Sequence, residues 1–168
     1  MKDQPDTGNV VKRAEAFARW AHRGQFRRDG VTPYFAHCER VARAVYGAGH
    51  NDFTCCVALL HDVLEDCGER LSLTAHDIVA IVGLDAQIAE ALVAMTHHRG
   101  ETYADYLRRV MSNGIAACVK RFDIIDNLND APTASQVKRY VSALKTLGCD
   151  FASHMGADGK VRWSVGRV

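Results

Sequence analysis

Apolar positions recur at intervals of three and four along most of this chain, and that spacing predicts helices. Val10, Ala14, Phe17, Ala18 and Ala21 form the first stripe, predicting a helix over Asn9–His22 with Gly24 just beyond its end. A second, about Phe35–Tyr46, sets His37, Val41, Ala44 and Val45 on adjacent turns and closes at Gly47 and Gly49. The third, Asp52 to about Asp66, contains the apolar run Val57-Ala58-Leu59-Leu60 and ends at Gly68. Thr74 answered by Asp77 has the form of a capping box, opening a short helix through Val82; another follows Gly83 over Asp85–Met95. Thr102 and Asp105 repeat that pattern before Tyr103–Asn113, whose buried stripe is Tyr106, Leu107, Val110 and Met111. Gly114 separates it from Ile115–Asn127, with Ile115, Cys118, Val119 and Phe122 inward. Pro132 ends that region, and Gly148 stops the last helix, Ser135–Leu147.

No strand-like alternation precedes Gly148, so the expected fold is all-α, a single-domain helical bundle. The tail differs. Ala157-Asp158-Gly159 is a turn signal and Lys160–Val165 alternates as a strand does, which leaves three readings: a short β-hairpin, a frayed end or a subunit contact. Between the first two helices, Gly24–Tyr34 is a loop by composition, with Asp29-Gly30 and Pro33 as its turn residues. The expected division is a polar segment over 1–9, the folded domain over 10–147 and a tail over 148–168.

Composition narrows the function classes. With 168 residues and 48% hydrophobic content the chain has material for one ordinary core. A net charge of +1 gives no global electrostatic reason to expect nucleic acid or a membrane surface as partner. The first nine residues are polar and acidic, unlike a secretory or transit signal, and no apolar run reaches bilayer length. Six cysteines without a C-x-x-C pair, two of them adjacent in an apolar helix, read as free buried thiols, and hence as a reducing, cytoplasmic setting. The oligomeric state is not legible at this level.

Candidate chemistry concentrates in Ala58–Asp66. On a helix His61 and Glu65 lie one turn apart, and Asp62 and Asp66 repeat that spacing beside them. Neighbours on a helix diverge by about 100°, so a cation between His61 and Asp62 needs ligands from elsewhere. A plain amphipathic helix with a solvated acidic end is the alternative, but it would put charge deep in an apolar segment without a partner. His37 opens the second helix, and Asp123 lies late in the Ile115 helix with Asn127 one turn on. Two imidazoles and two carboxylates suit Mn²⁺, Fe²⁺ or Zn²⁺ better than Ca²⁺.

His37, the His61-Asp62 pair and Asp123 match the H…HD…D signature of the HD-domain metal-dependent phosphohydrolases. Ala21–Arg28, Pro33–His37, Ala58–Asp66, and Val119–Asp123 with Asn127-Leu128, resemble the hydrolase domain of RelA/SpoT proteins and the small stand-alone alarmone hydrolases. The resemblance spans roughly Val10–Leu147, and the pairing of HD with the following Glu65-Asp66 makes it specific. It implies an HD-type bundle, one Mn²⁺ held by His37, His61, Asp62 and Asp123, and hydrolysis of the 3′-pyrophosphate of ppGpp-like nucleotides. It further implies that Glu65 and Asp66 handle the water, without separating them, and that Arg27, Arg28 and Asn127 contact the nucleotide. Lys120 is a further candidate for phosphate, with an ordinary surface lysine as its alternative.

The chain departs from the pattern between Asp123 and Asn127. A basic residue and a His or Tyr are usual there, and Ile124, Ile125 and Asp126 stand instead; Asn129 replaces an arginine. Asp126 would add negative charge beside an anionic substrate if it faced the pocket. These departures leave open a related hydrolase of another phosphorylated nucleotide, of 5′-nucleotidase type, and a nucleotide sensor without catalysis. His97-His98-Arg99-Gly100-Glu101 has two readings, a substrate-side loop or an exposed loop with idle histidines, and the second is the commoner case.

Overall fold

The computed structural model describes residues 7–166, so residues 1–6 of the expected polar segment lie outside the described residues. In chain order the helices are α1 (Thr7–Ala21), α2 (Phe35–Gly47), α3 (Asp52–Leu60), α4 (Val63–Leu71), α5 (Ala75–Val82), α6 (Gln87–Met95), α7 (Tyr103–Met111), α8 (Gly114–Leu128) and α9 (Ala134–Thr146). Two strands follow, β1 (Phe151–Met155) and β2 (Val161–Val165). The expected all-α bundle is what forms, and the tail is the hairpin among its three readings.

The most apolar helix takes the centre. Every residue of α3 from Thr54 to Leu60 is buried, and the helix packs against α1, α2, α6 and α8. Each leucine or valine buried this completely stabilises the fold by about 1.5–3 kcal/mol relative to exposure. Asn51 starts α3 by accepting the Thr54 N–H on its side chain, and Asn113 starts α8 in the same way through Ala116. The Thr74–Asp77 capping box is present and Thr102 caps α7; a second box, Thr133 with Gln136, opens α9.

Two expected stripes shift. On α2 the inward face runs Cys38, Val41, Ala42 and Val45, the i, i+3, i+4, i+7 set, which turns Ala44 outward. Met111, at the end of α7, is 48% exposed, while its neighbour Val110 takes the buried face of that turn.

The continuous helix expected over Asp52–Asp66 is broken. It stops at Leu60, turns through His61 and Asp62, and resumes as α4. The His61 ring donates from Nδ1 to the carbonyl of Ala58 at 2.8 Å, and Asp62 sits at φ −96°, ψ −8°, off helical geometry. Gly68 also does not end this region. It lies inside α4, where a Cβ would stand 3.1 Å from Leu64 Cδ1 and 3.3 Å from the carbonyl of Leu73. Its missing side chain permits that close approach.

The hairpin pairs Phe151 with Val165 through to Met155 with Val161. Asn129, just past α8, ties it to the bundle: Nδ2 donates to the Trp163 carbonyl at 2.9 Å and Oδ1 accepts the Trp163 N–H at 2.8 Å. The residue that stands where the resembling enzymes have an arginine is thus occupied with fixing the tail.

Candidate metal centre and its cleft

Three separate elements bring the four ligand candidates together. His37 is on the first turn of α2, His61 and Asp62 form the α3–α4 break, and Asp123 is on α8. Nε2 of His37 lies 3.1 Å from Oδ1 of Asp123 and 3.6 Å from Oδ2 of Asp62. Nε2 of His61 lies 3.2 Å from the same Asp62 oxygen and 3.7 Å from Asp123 Oδ1. Ligand atoms of His37, His61 and Asp123 all fall within 4.8 Å of one another. Because the Ala58 carbonyl takes the Nδ1–H, Nε2 of His61 is the nitrogen turned toward the carboxylates, and among the described residues it is buried without a well-formed hydrogen bond. A buried imidazole nitrogen left unpaired among carboxylates is the condition a divalent cation satisfies.

The charge balance agrees. Burial disfavours ionised rings here, yet the carboxylates outweigh it: Asp123 and Asp126 raise His37, and Asp62 and Asp123 raise His61 well above 6.5. Asp123, despite its burial, is held well below the usual carboxylate range by Lys120 and the two histidines. Lys120 Nζ stands 2.8 Å from Asp123 Oδ2 with its side chain 15% exposed, so it is not a plain surface lysine. Tyr34 donates its hydroxyl to Asp62 Oδ2 at 2.7 Å.

Asp126 faces away from the cleft. Its Oδ2 accepts from His37 Nδ1 at 2.6 Å, and Arg40 donates to both its oxygens at 2.7 and 2.8 Å. Ile124 and Ile125 are buried in the core. The departures therefore add no negative charge to the lining of the cleft beside Asp62 and Asp123.

A cleft of about 450 Å³ opens beside Asp62 and Asp123. Its basic groups are Arg27, Arg28, Lys120 and Arg139, and its aromatic walls include Phe26, Tyr34, Tyr103, Tyr106 and Tyr140. Hydrogen bonds brace the Gly24–Tyr34 loop that carries Arg27 and Arg28. Asp29 Oδ1 accepts the N–H groups of Val31 and Thr32, and the Arg27 N–H meets the Thr32 carbonyl at 2.8 Å. Arg27 is engaged by Asp130 and donates to Asn127 Oδ1 at 2.9 Å, while Asn127 Nδ2 donates to Asp123 Oδ1 at 2.6 Å. Asn127 thus links the arginine loop to the centre. Arg28 is exposed and bonded to Gln136.

Glu65 and Asp66 separate in space. Glu65 lines the cleft and accepts the His97 N–H at 2.8 Å. Asp66 is not among the lining residues; its carbonyl accepts from Gln25 Nε2 at 3.4 Å. Both residues are exposed by area, yet protein atoms around each carboxyl partly desolvate it, and this with the charge of Asp62 raises both above their ordinary values. His97 is not idle: its backbone meets Glu65 and its ring packs edge-on to Tyr106, while His98 stays outside the cleft. Tyr103, Tyr106, Arg139 and Tyr140 had no motif to announce them as cleft residues. The aromatic side chains on α7 and the Arg139-Tyr140 pair on α9 were the one available signal.

A helical bundle that gathers two imidazoles and two carboxylates beside a cleft has the donor set of a metal centre. The chain belongs to the HD domain family, whose model matches residues 14–148. HD domains bind divalent metal ions, and the His/Asp cluster here fits one. The solved structure of a metazoan ortholog of SpoT, a protein that hydrolyzes ppGpp, is similar at 21% sequence identity and a TM-score of 0.62. The match covers 88% of this chain and 85% of that one, and it shows the shared fold. No curated protein matches the chain. Among the described residues no helix is long and apolar enough to cross a membrane.

Proposed function

We propose that this protein is a metal-dependent nucleotide phosphohydrolase acting on the 3′-pyrophosphate of guanosine tetra- and pentaphosphate alarmones, with Mn²⁺ held by His37, His61, Asp62 and Asp123. The observation that carries the reading is the unpaired, buried Nε2 of His61 beside two carboxylates, at a cleft lined by basic and aromatic side chains. The structural likeness to a ppGpp-hydrolyzing protein supports the substrate class. A divalent ion supplies Lewis acidity toward phosphoryl oxygens and acidifies water.

The chain's own residues do the rest. Glu65, at the cleft wall with a raised pKa, takes a proton from the attacking water. A P–O bond forms from that water, the bond between phosphorus and the 3′-oxygen breaks, pyrophosphate leaves, and the 3′-oxygen ends protonated. Arg28 and Arg139 meet phosphate oxygens, and Arg27 joins them by exchanging Asp130 for phosphate. The tyrosines and Phe26, 53% exposed, offer faces on which a base stacks. Lys120 and Asn127 hold Asp123 in place.

Hydrolysis of a different phosphorylated nucleotide is the second reading, favoured by Asp130 already occupying Arg27. One experiment decides between them. The protein is loaded in turn with Mn²⁺, Fe²⁺ and Zn²⁺ and given ppGpp beside nucleoside mono-, di- and triphosphates. Pyrophosphate and GDP from ppGpp are expected; turnover of another nucleotide alone would replace the substrate claim, and turnover of none would end the hydrolase reading.

A further inference from the structure

Asp126 belongs to none of the motifs behind the resemblance; it is one of the residues by which this chain departs from them. It nevertheless touches the metal centre from behind. His37 is 1% exposed, and its two ring nitrogens are addressed from opposite sides: Nε2 by Asp123 and Asp62, Nδ1 by Asp126 Oδ2 at 2.6 Å. Asp126 is itself clamped. Arg40, one turn along α2 from His37, donates Nε to Oδ1 at 2.7 Å and Nη2 to Oδ2 at 2.8 Å, the two-pronged geometry that fixes a carboxylate in both position and tilt. His37 and Arg40 share α2, and Asp126 comes from α8 one turn beyond Asp123, so the three groups also lock the two ligand-bearing helices in register.

We propose that Asp126 and Arg40 form a positioning pair that holds the His37 ring with its proton on Nδ1 and its Nε2 lone pair turned into the centre, and so set the affinity for a divalent cation. The proposal rests on the metal-centre reading above. The physical reason is that a neutral imidazole binds metal through one nitrogen, and the partner of the other nitrogen decides which tautomer is present. Without Asp126 the ring loses both the acceptor that selects the tautomer and the contact that fixes its rotation. Arg40 acts one step further out, by keeping Asp126 in its rotamer. Its side chain is 45% exposed on the outer surface, away from the substrate cleft.

The test is calorimetric titration of metal-stripped protein with Mn²⁺, for the parent and for Asp126→Ala, Asp126→Asn and Arg40→Ala, each with a metal-free melting curve. Asp126→Ala is expected to weaken Mn²⁺ binding by about 10–100-fold, the usual effect of removing the partner of a ligating histidine. Asp126→Asn should lose less, since an amide oxygen still accepts the Nδ1–H. Arg40→Ala should move affinity the same way by a smaller factor. Should Asp126→Ala fail to fold, the other two variants decide. Equal Mn²⁺ affinity in parent and variants, with only melting lowered, would reduce the pair to a helix–helix tie and overturn the proposal. A parent that binds no Mn²⁺ would instead overturn the metal-centre reading, and this proposal with it.

Discussion

His61 Nε2 and Asp62 Oδ2 stand 3.2 Å apart although the two residues are neighbours in the chain. In an unbroken helix their side chains would diverge by about 100°. The break between α3 and α4 turns them to a common point, with the His61 ring anchored on the Ala58 carbonyl and the Asp62 carboxylate not used to cap α4. The HD pair is a local fold device before it is a motif.

That relationship makes His61 the residue whose loss should separate fold from metal. If the centre holds Mn²⁺ as proposed, a hundredfold excess over the dissociation constant should stabilise the parent by about 2.7 kcal/mol, or roughly 5–10 °C in melting temperature. The His61→Ala protein should melt cooperatively yet gain nothing from Mn²⁺. Melting curves with Mn²⁺ and with EDTA check this, and an undiminished Mn²⁺ shift in the variant would refute it.

Glu65 and Asp66 should behave differently, because the former lines the cleft and the latter does not. Glu65→Gln is expected to slow turnover by about 10²–10⁴-fold while leaving Mn²⁺ affinity near the parent value. Asp66→Asn should cost much less. Steady-state rates beside a metal titration give both quantities, and a larger loss for Asp66→Asn would reverse the assignment.

The proposed cation would serve Asp123 as Lys120 does, by compensating its charge. Lys120→Met should destabilise the metal-free protein by about 3 kcal/mol, the order seen when one partner of a buried ion pair is removed. Mn²⁺ should recover most of that loss. Urea unfolding with and without metal measures the difference, and an equal loss in both conditions would show that the two charges act independently.

Arg109 pins the loop that brings His97 to Glu65. Its guanidinium donates to the carbonyls of Val93, Ala94 and Thr96 and to the Glu101 carboxylate. Arg109 pulls the Glu101 carboxyl from 4.5 down to about 2. A depressed carboxylate contributes its stability fully above the ordinary value and loses it as pH falls through the folded one, so this clamp should hold from neutrality to about pH 4. Deuterium exchange over 96–101 should show steady protection across that range in the parent and fast exchange in Arg109→Ala. Protection that collapses near pH 4.5 in the parent would contradict the clamp.

Much of the architecture was legible because helix periodicity, caps and breakers are local. The threonine cap at Thr74 and the apolar run before His61 each declared their element without reference to the rest of the chain, whereas the alternation of Lys160–Val165 left a hairpin as one of three readings. The four ligand candidates were legible as residue types at motif spacing, and packing places each histidine Nε2 within 3.7 Å of both carboxylates. The residues that escaped were those whose meaning lies in a distant partner. Asp126 reads as stray charge until α2 sets His37 and Arg40 against it, and Lys120 reads as a surface lysine until Asp123 neutralises it.

The same division holds for the molecule as a whole. Sequence alone determined that the chain makes helices, where most of them begin, and which residue types could serve a cation, since backbone propensity and side-chain chemistry reside in single residues and their near neighbours. Tertiary packing decided that the central helix breaks at His61-Asp62, that Glu65 rather than Asp66 faces the cleft, and that Asp126 stands behind the centre. Those outcomes depend on which helix covers which face, and burial makes each of them costly to arrange otherwise.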